Sequence, residues 1–370
     1  MTSSAIKLLL HSFLILFLLF SVQAAQANTG KAFTIVGTAT VNDEVLTLGT
    51  VLKEGDRIVT GEKSSVRVVM KDGTVIDIQE NSGLTISQYA YKEDAPEESS
   101  SAFSILGGAV RYISGLIAKK DPNKVKLTAG TATIGIRGTF VNVDTGWNVS
   151  AAIDSTGFGT LAVQTSVGEA SVTLPDGSTL NVVAGNIGTI NTSTGATSTA
   201  AAPPDPIAAA AIAMASNPAG AAAAIATMSD ADAALAIAAL VNNATQLGAT
   251  KEAVLAAVQT AVASKPSAAV GTAYITSALS PADAATFATA IKAAAPDQAA
   301  AIDAASGSGS TLDPAPATGT TFNLREGADG DVIVTLEDGT EVTIENNNPG
   351  GTPLTTEQIQ EQLEILTSGS

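Results

Sequence analysis

The stretch VRVVMKDGTVIDIQ, residues 66–79, flanks Asp72-Gly73 with alternating Val and Ile, and its reading decides the fold. Alternation with a period of two is the mark of a strand with one buried face, and Asp-Gly between two such runs marks a hairpin. Asp and Gly both tolerate positive φ, so a tight type I′ turn is expected there. The unit recurs as ASVTLPDGSTLNVV at 170–183 and as DVIVTLEDGTEVTIE at 331–345, with Asp-Gly at 176–177 and 338–339. Three separate hairpins make the chain mainly β.

Working outward, residues 31–190 are a succession of short Val/Ile/Thr-rich runs broken by glycine and Asp-Gly turns, the pattern of an all-β domain. The stretch NTSTGATSTAAAPPDP at 191–206 reads as a linker, because its small polar residues and prolines end strand pairing. From 207 to 305 the composition switches to alanine with periodic Ile, Leu and Val. Within it SDADAALAIAAL (229–240) aligns with SPADAATFATAI (280–291). Ser229 and Ser280 suit N-caps, Pro281 the first helical position, and Asp232 and Asp283 the first turn. Pro218 and Pro266 also precede helical segments, so this region is expected as short helices in a bundle or hairpin stack. A second linker at 306–320 leads to residues 321–370, expected as an acidic β-hairpin and a short amphipathic helix with Ile359, Leu363 and Leu366 on one face.

The first 27 residues carry Lys7 ahead of an apolar run from Leu8 to Val22 and end in Ala25-Gln26-Ala27. This is the pattern of a secretory signal peptide with cleavage between Ala27 and Asn28. The expected location is therefore outside the cytoplasm: periplasmic, at the cell surface or secreted. No membrane span is expected after cleavage. The uncharged stretch from Pro206 to Ser229 is mostly alanine and is interrupted by Asn217-Pro218.

His11 is the only histidine, and there is no cysteine. With the signal removed, histidine bases, Ser-His-Asp and Cys-His systems and Cys/His zinc sites are all unavailable. No catalytic, cofactor-binding or metal residues are assigned, and an enzyme is not expected. Glu326, Asp329 and Asp331 in REGADGDV come nearest to a calcium loop but lack its spacing. The formal net charge is -17, and residues 306–370 hold 11 acidic residues against Arg325 alone. Such a surface repels phosphate backbones, so nucleic acid is not an expected partner.

Four blocks in fixed order carry a family resemblance: LKEGDRIVTG (52–61), VVMKDGTVIDI (68–78), ILGGAVRY (105–112) and TATIGIRGTFV (131–141). Together they resemble the FecR domain family, the extracytoplasmic part of bacterial regulators, over about residues 33–190. The resemblance implies a solenoid-like or rolled β domain without enzymatic activity, working by protein contact or ligand sensing. It also implies framework positions at Gly55, Asp56, Thr60, Gly61, Asp72, Gly73, Gly108, Arg111, Gly135, Arg137, Gly138 and Thr139. Signalling members have a cytoplasmic segment that engages a sigma factor; here only about six residues precede the hydrophobic run, which speaks against a direct anti-sigma role.

The blocks can also be read physically. Gly55-Asp56 supplies a turn, Arg57 and Thr60 are expected to point outward from a short strand, and Gly61 permits the next reversal. In TIGIRGTF, Ile134, Ile136 and Phe140 suit the inward face, while Gly135 and Gly138 allow a bulge or close backbone approach. Arg137 then lies opposite the Ile face or turns inward to bond carbonyls or a carboxylate, and is expected as a structural clamp more than a ligand contact.

The leading expectation is an exported, non-enzymatic FecR-like protein that binds a protein or cell-envelope component in cell-surface sensing. One alternative is an extracellular structural or assembly protein, in which self-association is the activity. Another is a carbohydrate-binding protein, against which stands the shortage of aromatic platforms, with Trp147 and four tyrosines.

Overall fold

The computed structural model describes residues 28–93, 95, 98–146 and 159–306, and the backbone of three short strands between 323 and 344. The expected signal peptide with Ala27, Trp147, the acidic positions Asp329 and Asp331, and the C-terminal helix lie outside the described residues. The chain divides into two units, 1–313 and 314–370.

The first unit is built on a curled, half-barrel sheet. Its strands are β1 (Asn28–Val36), β2 (Ala39–Val41), β3 (Glu44–Val45), β4 (Val51–Lys53), β5 (Arg57–Thr60), β6 (Ser65–Met70), β7 (Val75–Ile78) and β8 (Gly83–Ala90). They continue with β9 (Ser100–Gly107), β10 (Ala109–Ile113), β11 (Val125–Ala129), β12 (Ala132–Asp144), β13 (Thr160–Thr173), β14 (Thr179–Val183), β15 (Asn186–Asn191) and β16 (Thr197–Ala201). The main path runs β3-β2-β5-β8-β9-β11-β12-β10-β7-β6-β1-β4. All described pairs are antiparallel except β9 with β11. The long β12 is the spine: its first half pairs with β11, its second half with β10, and β13 lies along its other edge. The inner face of the curl closes on Ile58, Val68, Ile76, Ile86, Phe103, Tyr112, Ile134 and Val163, all buried.

The Asp-Gly hairpins are present as β6–β7, β13–β14 and, in backbone, as part of the second unit. The turns of the first two differ from the expected type I′ form. Gly73 NH reaches Met70 O while Met70 and Thr74 stay paired, so residues 71–73 form a three-residue loop with only Gly73 at positive φ, +77°. Leu174 to Ser178 repeats the arrangement, with Pro175 opening the turn and Gly177 at +84°. The reason is in the count, since three loop residues need one left-handed position rather than two.

The linker expected over 191–206 is in large part a strand. Asn191 turns the chain by accepting from Ser193 N and Thr194 N, Gly195 takes φ +72°, and β16 returns along β15. Thr197 and Thr199 favour extended backbone, which the small-residue composition concealed. Pro203-Pro204 then stop the sheet, and Asp205 caps the first long helix.

A short helix, α1 (Leu116–Lys120), sits inside the β region. The alanine-rich part forms α2 (Pro206–Ser216), α3 (Pro218–Thr227), α4 (Asp230–Asn242), α5 (Lys251–Ser264), α6 (Ala269–Thr276), α7 (Pro281–Ala294) and α8 (Ala299–Ser306). The aligned serines behave alike. Ser229 Oγ accepts from Asp232 N and donates to Asp232 Oδ2, and Ser280 does the same with Asp283. The helices stack in two layers: α4 packs between α2 and α6, and α6 on α8, while α3, α5 and α7 follow one another outside them. Alanine permits the close approach, and α4 is buried from Ala233 to Asn242. The first layer lies on the outer face of the sheet, where Phe33 stacks on Tyr274 at 4.5 Å and Asn242 Nδ2 donates to Gly73 O. No single helix among the described residues is long and apolar enough to cross a membrane.

In the second unit, β17 (Asn323–Glu326), β18 (Val332–Thr335) and β19 (Glu341–Ile344) form an antiparallel sheet in that order. The expected hairpin is its β18–β19 pair, and β17 adds a strand that the sequence reading did not include.

Candidate functional site: the outer face of the sheet

One row of side chains crosses the outer face under the helices. Register places Arg67 beside Asp77, Asp77 beside Arg111, Arg111 beside Asn142, and Asn142 beside Gln164, across β6, β7, β10, β12 and β13. Asp77 Oδ2 accepts from Arg67 at 3.3 Å, from Arg111 at 2.7 Å and from Gln79 Nε2 at 3.0 Å. The helices add two more carboxylates. Asp205, which caps α2 by accepting from Ile207 N and Ala208 N, also accepts from Arg111 at 2.9 Å and Asn142 at 3.0 Å. Asp232, in the capping turn of α4, accepts from Arg67 at 3.2 Å, and Arg67 donates to Ala231 O as well.

Arg67 and Asp77 are each only 5% exposed, so these charges are stable there because each has several partners. Burial pushes the Asp205 carboxyl up, but the Arg111 charge and the helix amides outweigh it and hold the pKa below its ordinary value. Burial acts against the Arg111 cation, and Asp205 and Asp77 together raise its pKa nonetheless. The Arg111 guanidinium also lies over the Phe140 ring, 5.8 Å from its centre. This row is a clamp that locks the helical layer to the sheet.

Asp72 is a further buried carboxylate, outside this row. It accepts from Thr74 N and Oγ1, Tyr89 Oη and Ile117 N, tying the first hairpin turn to the start of α1. Desolvation raises its pKa against those hydrogen bonds.

The strand β12 changes character at Gly138. Gly138 has φ +54°, and the register with β13 shifts between Arg137 and Phe140. The bulge places Phe140 and Asn142 on the outer face beneath the helices, whereas Ile134 and Ile136 face the inner core. Phe140 is therefore buried, but against Arg111 rather than on the inward face expected for it. A Cβ on Gly138 would sit 1.9 Å from Gln246 Nε2, in the loop after α4. The helical cover ends there.

Before the bulge the outer face is open. Lys126, Gly135, Ser171 and Asn181 line up across β11, β12, β13 and β14, and Arg137 pairs in register with Glu169 one row along. These residues line a groove of about 490 Å³ that also includes Asn123, Thr133 and Thr173. Lys126 and Arg137 are exposed, as are Lys120 and Lys124 nearby. The Arg137 guanidinium makes no hydrogen bond or ion pair with any described residue. The clamp expected of Arg137 is supplied by Arg67 and Arg111 instead, because alternation along β12 turns Arg137 away from the core and the helices stop short of it.

The other framework positions are distributed around the sheet. Gly55 takes φ +91° in the β4–β5 turn, and Asp56 accepts from Lys53 N and Asn42 Nδ2. Thr60 is buried, against its expected outward position: Arg57 and Thr60 are three residues apart in a strand of period two, so they face opposite sides. Its hydroxyl bonds Gln79 O and accepts from Ser82 N. Gly61 pairs with Thr38, and Gly108, at φ +72°, passes so close to Ser82 that a Cβ would lie 2.1 Å from its Oγ. Gly135 lies in regular strand; of the two glycines only Gly138 falls at a break in the β12–β13 register. Thr139 N donates to Ser114 Oγ. Asn28 begins β1.

Arg67, Asp77 and Asp205 were not singled out in sequence. A signal existed for the first two, since Arg67 and Asp77 interrupt apolar strands and stand equally far from the turn, so hairpin register sets them side by side. Asp205 carried only a cap signal. Among the described residues no group of three or more His, Cys, Asp or Glu side chains is placed to hold a metal ion.

The FecR protein family model matches residues 56–153. Three of the four sequence blocks fall within this span and the first overlaps its start, so the resemblance to the FecR family is shown over this segment. Two solved structures of a candidate anti-sigma factor from Parabacteroides distasonis ATCC 8503, at 1.65 and 2.50 Å, are similar at 14% identity with a TM-score of 0.30. The match covers 39% of this chain and 59% of theirs, so the chain spans about six-tenths of their length. No curated protein matches the chain. The FecR match supports a signalling or regulatory role.

Proposed function

We propose that the protein is an exported, non-enzymatic regulatory module that works by binding a protein or cell-envelope component through the groove around Arg137. The observation that carries this is the contrast between the covered and the open half of the outer face along β12. Arg111 is held by Asp77 and Asp205, while Arg137 and Lys126 stand exposed in a concave, polar part of the sheet with no partner for the Arg137 guanidinium among the described residues. An exposed guanidinium with five donors suits a carboxylate on a partner. The absence of histidine and cysteine beyond His11 supports a non-enzymatic role. Chemical cross-linking in envelope fractions tests the reading. A discrete complex recovered with the native chain and lost with Arg137→Glu/Lys126→Glu is expected; its undiminished recovery with the double variant would overturn the groove.

A second reading, assembly from copies of the chain, is favoured by one feature. Among the described residues β16 pairs only with β15, and its other edge, five exposed residues long, has no described strand beside it and suits strand addition. Open-ended ladders in the same cross-linking experiment, in place of one discrete species, are its signature.

A further inference from the structure

Glycine weakens a strand interior, so one found there marks a change of backbone hand or a close approach. The structure supplies that reason at three positions in the sheet. A Cβ on Gly30 would lie 2.6 Å from Val69 O, one on Gly188 would lie 2.5 Å from Val182 Cγ2, and Gly138 combines positive φ with Gln246 against it. Gly135 has neither reason. Its φ is not positive, and its pairing with Lys126 and Ser171 is regular. The nearest atom to a Cβ built on it is Ser171 O at 3.7 Å, an ordinary contact. No described residue needs bare backbone at this point.

What the missing side chain makes is a depression in the floor of the groove. Lys126 stands opposite Gly135 on β11, about 5 Å away, and Arg137 two residues along β12, about 7 Å away, all on the outer face. Both cations are exposed, and neither has an ion-pair partner among the described residues. Glu169, which also lines the groove, stands beside Arg137 on β13, the side away from Lys126. We propose that Gly135 is the floor of a seat for one carboxylate side chain, Glu or Asp, carried on an extended segment of a partner protein. Lys126 and Arg137 close over that carboxylate from two sides. The proposal rests on the groove being the binding surface and names the group it takes. With a net charge of -17 the chain as a whole repels polyanions, so the occupant is an isolated acidic residue in an otherwise neutral segment.

The test titrates the full chain by NMR with the acetylated, amidated peptide Thr-Thr-Glu-Thr-Thr and with its Gln counterpart, and follows the cross-linked envelope complex in parallel. Saturable binding of the Glu peptide is expected, with a dissociation constant on the order of 1 mM, and binding of the Gln peptide at least tenfold weaker. Gly135→Val is expected to weaken Glu-peptide binding more than tenfold and to reduce recovery of the complex. The same variant should leave the urea midpoint unchanged or raise it, since a β-branched residue suits a strand better than glycine. A merely structural glycine gives the reverse: a lower midpoint with Gly135→Val, and already with Gly135→Ala, whose methyl meets nothing nearer than 3.7 Å. That result would overturn the seat. So would the absence of Glu-peptide binding, equal binding of the Gln peptide, or native binding by Gly135→Val. If Arg137→Glu/Lys126→Glu abolishes the complex while Gly135→Val retains it, the groove stands and the seat alone fails. A complex indifferent to the double variant removes both.

Discussion

The two halves of β12 are made of the same kind of sequence and end up in opposite circumstances. Beyond Gly138 the outer face carries Phe140 and Asn142, is covered by helices, and meets Arg111 in a network with Asp77 and Asp205. Before Gly138 the same face carries Gly135 and Arg137, is clear of the helices, and leaves the arginine without a partner among the described residues. The difference teaches that a strand arginine's role is decided by what lands on the face it occupies. For Arg111 that is an acidic helix cap contributed from 94 residues away.

Breaking the covered half should have the largest effect. Arg111→Ala leaves Asp77 and Asp205 short of a cation in a buried setting and is expected to cost about 3–5 kcal/mol in urea unfolding followed by circular dichroism. A loss below 1 kcal/mol would mean that the network is incidental. Asp205→Asn keeps an oxygen to cap α2 but removes the charge, and is expected to cost about 2 kcal/mol at neutral pH. Its pH dependence has a definite sign. The folded pKa of Asp205 lies below the ordinary 3.8, so its contribution is complete above 3.8 and is lost as pH falls through the lowered folded value. The gap between native and Asp205→Asn proteins should therefore narrow in acid, and a gap that widened would refute the charge argument. At the boundary, Gly138→Ala puts a side chain at φ +54° and is expected to cost about 1–2 kcal/mol. Adding Gln246→Ala relieves the contact but not the backbone hand, so only part of the loss should return.

Much of this was legible beforehand. The hairpins follow from Asp-Gly between alternating runs, and the helix starts at 229 and 280 follow from serine three residues ahead of aspartate, because both are local chemistry. Turn type was less legible: the loop length, which sets how many left-handed residues are needed, depends on register. The linker at 191–206 was misread because Thr-Ser-Thr carries a weaker strand signal than Val or Ile. Thr60 could have been placed by parity from Ile58. Arg137 could not be resolved from sequence, since its strand position gives the face but not what covers it. That depends on where a helical layer encoded some seventy residues later comes to a stop, at Gln246 against Gly138.

The central claim is that Arg111 holds the fold and Arg137 serves what binds to it. The most direct measurement is Arg137→Ala, read in the same urea unfolding and in recovery of the cross-linked envelope complex. Stability within about 0.5 kcal/mol of the native protein, with the complex lost, is the predicted result. A loss of stability comparable to that of Arg111→Ala, with the complex retained, would contradict it.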